Sequence, residues 1–216
     1  MKINIESPWI QAGIKITNIL ILNFWFVIGC IPVLTIGTSI IAASSVCLKL
    51  VEDREESTIT ASFWKAWKAN LGVGILYTAA GLALLWVIWM NWQIFDRFTS
   101  APIVCLLAAI LGGVLMVMHF LYAFLLEARY ENKPFAAMLN SRKICVRFFV
   151  RTLGLAGVLF VQYLLFYQTS ALLSYIGLFC APILMIYTIC KVGMPILHQL
   201  EKDTMAHDGF AVYTNH

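Results

Sequence analysis

The sequence predicts an all-α fold: a polytopic transmembrane helical bundle, one integral membrane domain over residues 1–216, with a broken first membrane element and short interfacial helices. Three observations predict it. Of the 216 residues, 61% are hydrophobic and only 12% charged, at a mean hydropathy of +0.84. The apolar residues gather in runs without Asp, Glu, Lys or Arg, namely 16–48, 69–95 and 152–190. Each is long enough for at least one helix across a hydrocarbon core of about 30 Å. Finally, Lys and Arg flank these runs and build no separate basic domain, so the net charge of +4 reads as membrane orientation rather than nucleic-acid binding.

The N-terminal stretch interleaves Ile3, Ile5, Trp9, Ile10 and Ile14 with Lys2, Glu6 and Lys15, and Pro8 suits the first turn of a short interfacial helix. A loosely ordered tail is the competing reading. No clean signal-peptide pattern precedes the first apolar run, which is expected to remain in the mature protein. Residues 16–48 would measure roughly 50 Å as one helix, too long for a level span. Pro32 removes a backbone donor and Gly37 relaxes the backbone five residues later, which predicts a helix, a break and a second helix. Thr35 and Thr38 offer hydroxyls to the freed backbone groups, and Asn23 needs a protein partner at such depth. These five residues, Asn23, Pro32, Thr35, Gly37 and Thr38, form a candidate hinge. The small-sided run from Gly37 to Cys47 favours close helix packing, with a substrate path as the alternative.

Residues 49–70 form a charged connection. Within it Ile59, Phe63 and Trp67 recur at helical spacing while Lys65 and Lys68 lie off that stripe. A short amphipathic surface helix follows, with Trp64 and Trp67 at headgroup depth. The sharper alternative makes Phe63, Trp64 and Trp67 a docking patch for another protein. The next span, 71–92, closes on Trp86, Trp89 and Trp92, an aromatic belt rather than a sugar platform. A span over 102–126 contains Gly112-Gly113 and a lone intramembrane His119. With no second histidine or carboxylate one turn away, His119 is a weak polar candidate beside the plainer reading of a hydrogen-bonded core histidine.

Residues 127–151 make the most basic connection, with Pro134 placed to begin a helix. Its construction resembles that of 49–70, which raises an internal repeat as a hypothesis. The run 152–190 just accommodates two spans, 152–168 and 171–190, turning near Gln168-Thr169-Ser170. The tail is 191–216. Six scattered cysteines without a Cys-x-x-Cys pair read as small hydrophobes, and neither a metal nor a cofactor is expected.

With 16–48 as a single broken crossing, five spans result. The two large connections and the tail then share twelve Lys and Arg against three on the other side, which predicts a multi-pass cell-membrane protein with a cytoplasmic C-terminus. A hairpin folding at Pro32 gives six spans, shifts the count to fourteen against one and leaves the C-terminus on the same side. The five-span reading is preferred because the hairpin's helices would be short.

Asn18, Asn23-Phe24-Trp25, Ile31 to Gly37 and Ala42-Ala43 resemble the N-terminal signature of the YesL-like membrane proteins of Gram-positive bacteria, as does Phe63 to Leu71. Thr38 stands where such proteins often have Pro. The resemblance implies no established biochemical activity, and it implies an accessory role beside carbohydrate-uptake systems. Together these readings favour a non-enzymatic accessory or assembly protein of a membrane complex. Its expected partners are the lipid bilayer and either carbohydrate-transporter subunits or further copies of itself. A small membrane transporter is the alternative; a membrane enzyme lacks an assembled acid, base or metal set.

Overall fold

The computed structural model describes residues 8–54, 58–97, 102–130, 134–167 and 171–206. Among these the fold is all-helical: α1 (Pro8–Cys30), a 3-10 turn (Val33–Thr35), α2 (Ile36–Val51), α3 (Ile59–Ala69), α4 (Leu71–Arg97), α5 (Pro102–Phe120), α6 (Ala123–Arg129), α7 (Pro134–Arg147), α8 (Phe149–Tyr167) and α9 (Ala171–Ala206). Six stretches are long and apolar enough to cross a membrane by length and composition: Gly13–Cys30, Val33–Val51, Leu71–Ile94, Leu106–Arg129, Phe149–Phe166 and Ala181–Lys202. The chain is a multi-pass helical membrane protein.

The first element differs from the single broken crossing preferred above. Its helices separate at Pro32 and double back: Lys15, early in α1, pairs with Asp53 just beyond α2 at 2.8 Å. Leu22 and Phe26 of α1 share a core cluster with Ala42, Ala43 and Val46 of α2. The physical reason lies in the break itself. Pro32 stands in an extended conformation (φ −75°, ψ 116°), which redirects the chain instead of bending a continuous helix. At the far end, Asp53 takes a left-handed φ of 53° while the Arg54 N–H donates to the Lys49 carbonyl at 3.0 Å. This closes α2 with the helix-ending geometry usually given to glycine, which aspartate tolerates.

The span expected over 102–126 is also divided. The Tyr122 N–H, due to bond the Met118 carbonyl, instead donates to Ser141 Oγ at 3.1 Å, and Ser141 Oγ donates to that Met118 carbonyl at 2.8 Å. A side chain from α7 has entered the ladder and split α5 from α6. Elsewhere α4 runs on to Arg97, α8 begins at Phe149, and α9 continues through Pro182 and Pro195 into the residues expected as tail, its membrane-length stretch being Ala181–Lys202 where 171–190 was expected. The elements that lead into the two similar connections differ: the doubled hairpin precedes 49–70, and the serine-split helix precedes 127–151.

Helix α2 occupies the centre. It packs against α1, α3, α4, α6 and α9, and eleven of its sixteen residues, including Thr38, Ser39, Ala42, Ala43 and Ser44, are buried. Small side chains permit this, because they let several backbones approach one helix at once.

Candidate functional site

Two constellations stand out, both built on α2. The first lies at its start, where the hinge residues meet α4. The Gly37 N–H, one of the donors a helix start leaves unpaired, bonds Thr78 Oγ1 at 2.8 Å, and that hydroxyl donates to the Gly74 carbonyl at 2.9 Å. Thr35 Oγ1 donates to the Gly29 carbonyl at 2.7 Å and lies 2.8 Å from that of Pro32, while Thr38 Oγ1 faces the Leu71 carbonyl at 3.4 Å. A Cβ on Gly37 would collide with the Gly74 carbonyl oxygen, and a Cβ on Gly74 would collide with the Thr38 backbone. Four of the five hinge candidates therefore belong to one tightly closed corner. The fifth, Asn23, is buried, and its Oδ1 has no hydrogen-bond partner among the described residues.

The second constellation lies past the end of α2. Arg129 donates from Nη1 to Glu52 Oε1 at 2.6 Å and from Nε to Glu201 Oε1 at 2.9 Å, joining α6 to the chain after α2 and to α9. Tyr130 donates its hydroxyl to the same Glu201 oxygen at 2.6 Å, and His198 Nδ1 is 3.3 Å from Glu201 Oε2. Burial, reinforced by the hydrogen bond to Glu201, pushes the Tyr130 phenol above its ordinary range, so it stays a donor at neutral pH. The arginine side chain is 17% exposed and its two carboxylates 15% and 23%, so all three are largely withdrawn from water. Beside them opens a cavity of about 390 Å³ whose wall includes Ser45, Lys49, Arg54 and Tyr130.

Sequence reasoning did not assemble this second cluster. Glu52 stood in a charge-balanced stretch, Arg129 among many basic residues and Glu201 in the tail, separated by 77 and 72 residues from the arginine. No spacing rule links them. A further buried pair was equally hidden: Tyr77 of α4 lies 2.8 Å from Glu127 Oε1 and 2.9 Å from the Pro134 carbonyl, pinning α4 to α6 and to the start of α7.

The aromatic docking candidates have a different situation from the one expected. Phe63 is completely buried, and Trp64 and Trp67 are half-buried. Trp67 Nε1 donates to Ser39 Oγ at 3.2 Å, and Trp25 Nε1 of α1 donates to Thr60 Oγ1 at 2.9 Å. Trp64 stands edge-on between Trp25 and Trp67, with ring centroids 5.6 and 5.4 Å away. The helix is amphipathic as predicted, but its apolar stripe covers the hairpin of this same chain. His119 Nδ1 lies 2.7 Å from the Leu115 carbonyl one turn back, a local contact within α5. Among the described residues, no group of three or more His, Cys, Asp and Glu is arranged to hold a metal ion.

Comparison with known proteins adds one finding. No curated protein and no solved structure matches the chain. Residues 19–92, which carry α2, α3 and most of α1 and α4, match the model of a family described as "Protein of unknown function, DUF624", so over that third of its length the chain is similar to a family without an assigned activity.

Proposed function

We propose that this protein is a non-enzymatic accessory or assembly component of a membrane complex, acting beside a carbohydrate-uptake system. The observation that carries the reading is the closed corner where Pro32 to Thr38 meet α4. In a transporter with a broken helix, the break lines a cavity and its freed backbone groups coordinate cargo. Here Thr35 and Thr78 take up backbone groups around the break, and Gly37 and Gly74 bring two backbones together with no room for a methyl group. A static corner of this kind suits a scaffold. The resemblance of the N-terminal half to YesL-like proteins supports the link to carbohydrate uptake, and the count of Lys and Arg supports a cytoplasmic C-terminus with six crossings.

Purification from native membranes in mild detergent, followed by reconstitution, tests the proposal. A membrane complex should co-purify in fixed proportion, and the protein alone should give no sugar uptake. Robust uptake by the purified protein, lost in Thr35→Val with the fold intact, would establish transport in its place.

A further inference from the structure

The joint between α7 and α8 carries a surface that neither the fold nor the accessory reading uses. The helical ladder passes straight through it: the Phe148 N–H bonds the Ile144 carbonyl and the Thr152 N–H bonds the Phe148 carbonyl, both at 2.9 Å. Lys143, Arg147 and Arg151 therefore stand at i, i+4 and i+8 on one face, with Arg142 beside them, and all four are exposed. The adjoining face is committed to the interior through Ser141, Ile144, Cys145 and Leu155. Next to the basic stripe, Phe149 is 64% and Val150 82% exposed, at the start of the apolar span Phe149–Phe166.

Both guanidinium groups lean on one ring, with Arg147 Cζ 5.6 Å and Arg151 Cζ 5.8 Å from the Phe148 centroid. That contact gathers both guanidinium groups around one side chain at the joint. No acidic residue occurs in the sequence between Glu131 and Glu201, so α7 and α8 together bring four Lys and Arg and no carboxylate. Exposed apolar side chains directly beside exposed cations, at the end of a membrane-length helix, match the boundary between acyl chains and headgroups.

We propose that the α7–α8 joint is a binding site for an anionic phospholipid, its headgroup phosphate taken by Arg147 and Arg151 and its acyl chains lying along Phe149 and Val150. Charge complementarity selects the lipid over a neutral one, and the apolar flank selects it over a soluble phosphate.

The test uses the full-length protein in detergent, mixed with equal amounts of phosphatidylglycerol and phosphatidylcholine, and native mass spectrometry to count retained lipids. The unsubstituted protein should retain phosphatidylglycerol preferentially, and millimolar inorganic phosphate should not displace it. Arg147→Gln with Arg151→Gln should lower that retention on the order of tenfold, whereas Arg54→Gln, beside Glu52 of the ionic cluster, should leave it unchanged. Arg147→Lys with Arg151→Lys, which keeps the charge, should recover part of it. Equal retention of the two lipids by the unsubstituted protein overturns the site without reference to any variant. So does unchanged retention in the folded glutamine variant, displacement by phosphate alone, or crosslinking of residue 150 to a protein rather than to lipid in native membranes.

Discussion

Two spans of this chain have the same mean hydropathy, 1.7, and opposite surroundings. In Val33–Val51, which contains α2, 67% of the residues are buried inside the protein; in Phe149–Phe166, on α8, the figure is 6%. Hydropathy therefore does not decide which helix sits at the centre. Side-chain size does. Helix α2 presents Gly37, Thr38, Ser39, Ala42, Ala43 and Ser44 to its neighbours, whereas α8 turns Leu153, Val158, Phe160 and Val161 outward. In a medium as apolar as the side chains themselves, burying leucine against protein gains little over leaving it in lipid, so close approach of backbones and shared hydrogen bonds choose the core.

Glycine provides the severest way to break this comparison. Gly37→Val or Gly74→Val drives a side chain into a facing backbone, and we expect a loss of about 3 kcal/mol or failure to fold. Gly154→Val and Gly157→Val on α8, where a new Cβ meets nothing within 4 Å, should stay within about 0.5 kcal/mol. Thermal unfolding in one detergent ranks all four. If the two pairs were equally damaging, size would not be what separates the helices.

The ionic cluster sharpens the comparison at the other end of α2. Arg129→Met leaves the carboxylates of Glu52 and Glu201 mostly withdrawn from water without their cation, at a cost of about 2 kcal/mol. Asp53→Asn removes the exposed pair with Lys15 and should cost no more than about 0.5 kcal/mol, and added salt widens the difference between the two variants by weakening only the latter pair.

A smaller effect than the loss of Arg129 concerns Tyr77. Its hydroxyl has one hydrogen for two acceptors, the Glu127 carboxyl and the Pro134 carbonyl. Tyr77→Phe strands both and should cost about 1–2 kcal/mol. Glu127→Gln, which brings a donor of its own at nearly the same shape, should unfold within a degree or two of the parent. A larger loss in Glu127→Gln than in Tyr77→Phe would show that the charge matters more than the hydrogen bonds.

The helical class, the break at Pro32, the amphipathic stripe of α3 and the positions of α4 and α8 were legible in the sequence because each rests on local chemistry: an apolar run, a proline, a 3.6-residue period. What covers each face was not. The stripe Ile59, Phe63, Trp67 gives the same pattern whether lipid, a partner or the α1–α2 hairpin lies over it, and the structure places the hairpin there. The direction taken after Pro32 depends on Leu22 and Phe26 of α1 finding Ala42, Ala43 and Val46 of α2, and the split of α5 depends on Ser141 arriving from another helix. Arg129, Glu52 and Glu201 are ordinary surface-type residues by sequence and become a unit only in space. The hinge residues were picked out individually by composition, yet the partners that close the corner, Gly74 and Thr78, lay inside a run read simply as membrane span.

The placement of α2 also orders the birth of the molecule. Its small polar face is synthesised early, but the Cys190 thiol that meets the Ser44 carbonyl and the Glu201 carboxylate that meets Arg129 come 146 and 72 residues after their partners. Until α9 has emerged and entered, the Ser44 side of α2 faces whatever else the membrane offers, although Trp67 of α3 and Leu71 of α4 can already meet Ser39 and Thr38. The hairpin with α1 can form at once, and α3 can cap it, but the bundle cannot close. A ribosome stalled before residue 181 therefore leaves a chain whose α2 is uncovered on the side that α9 will take, the kind of incompletely packed state on which a membrane chaperone or quality-control protease acts.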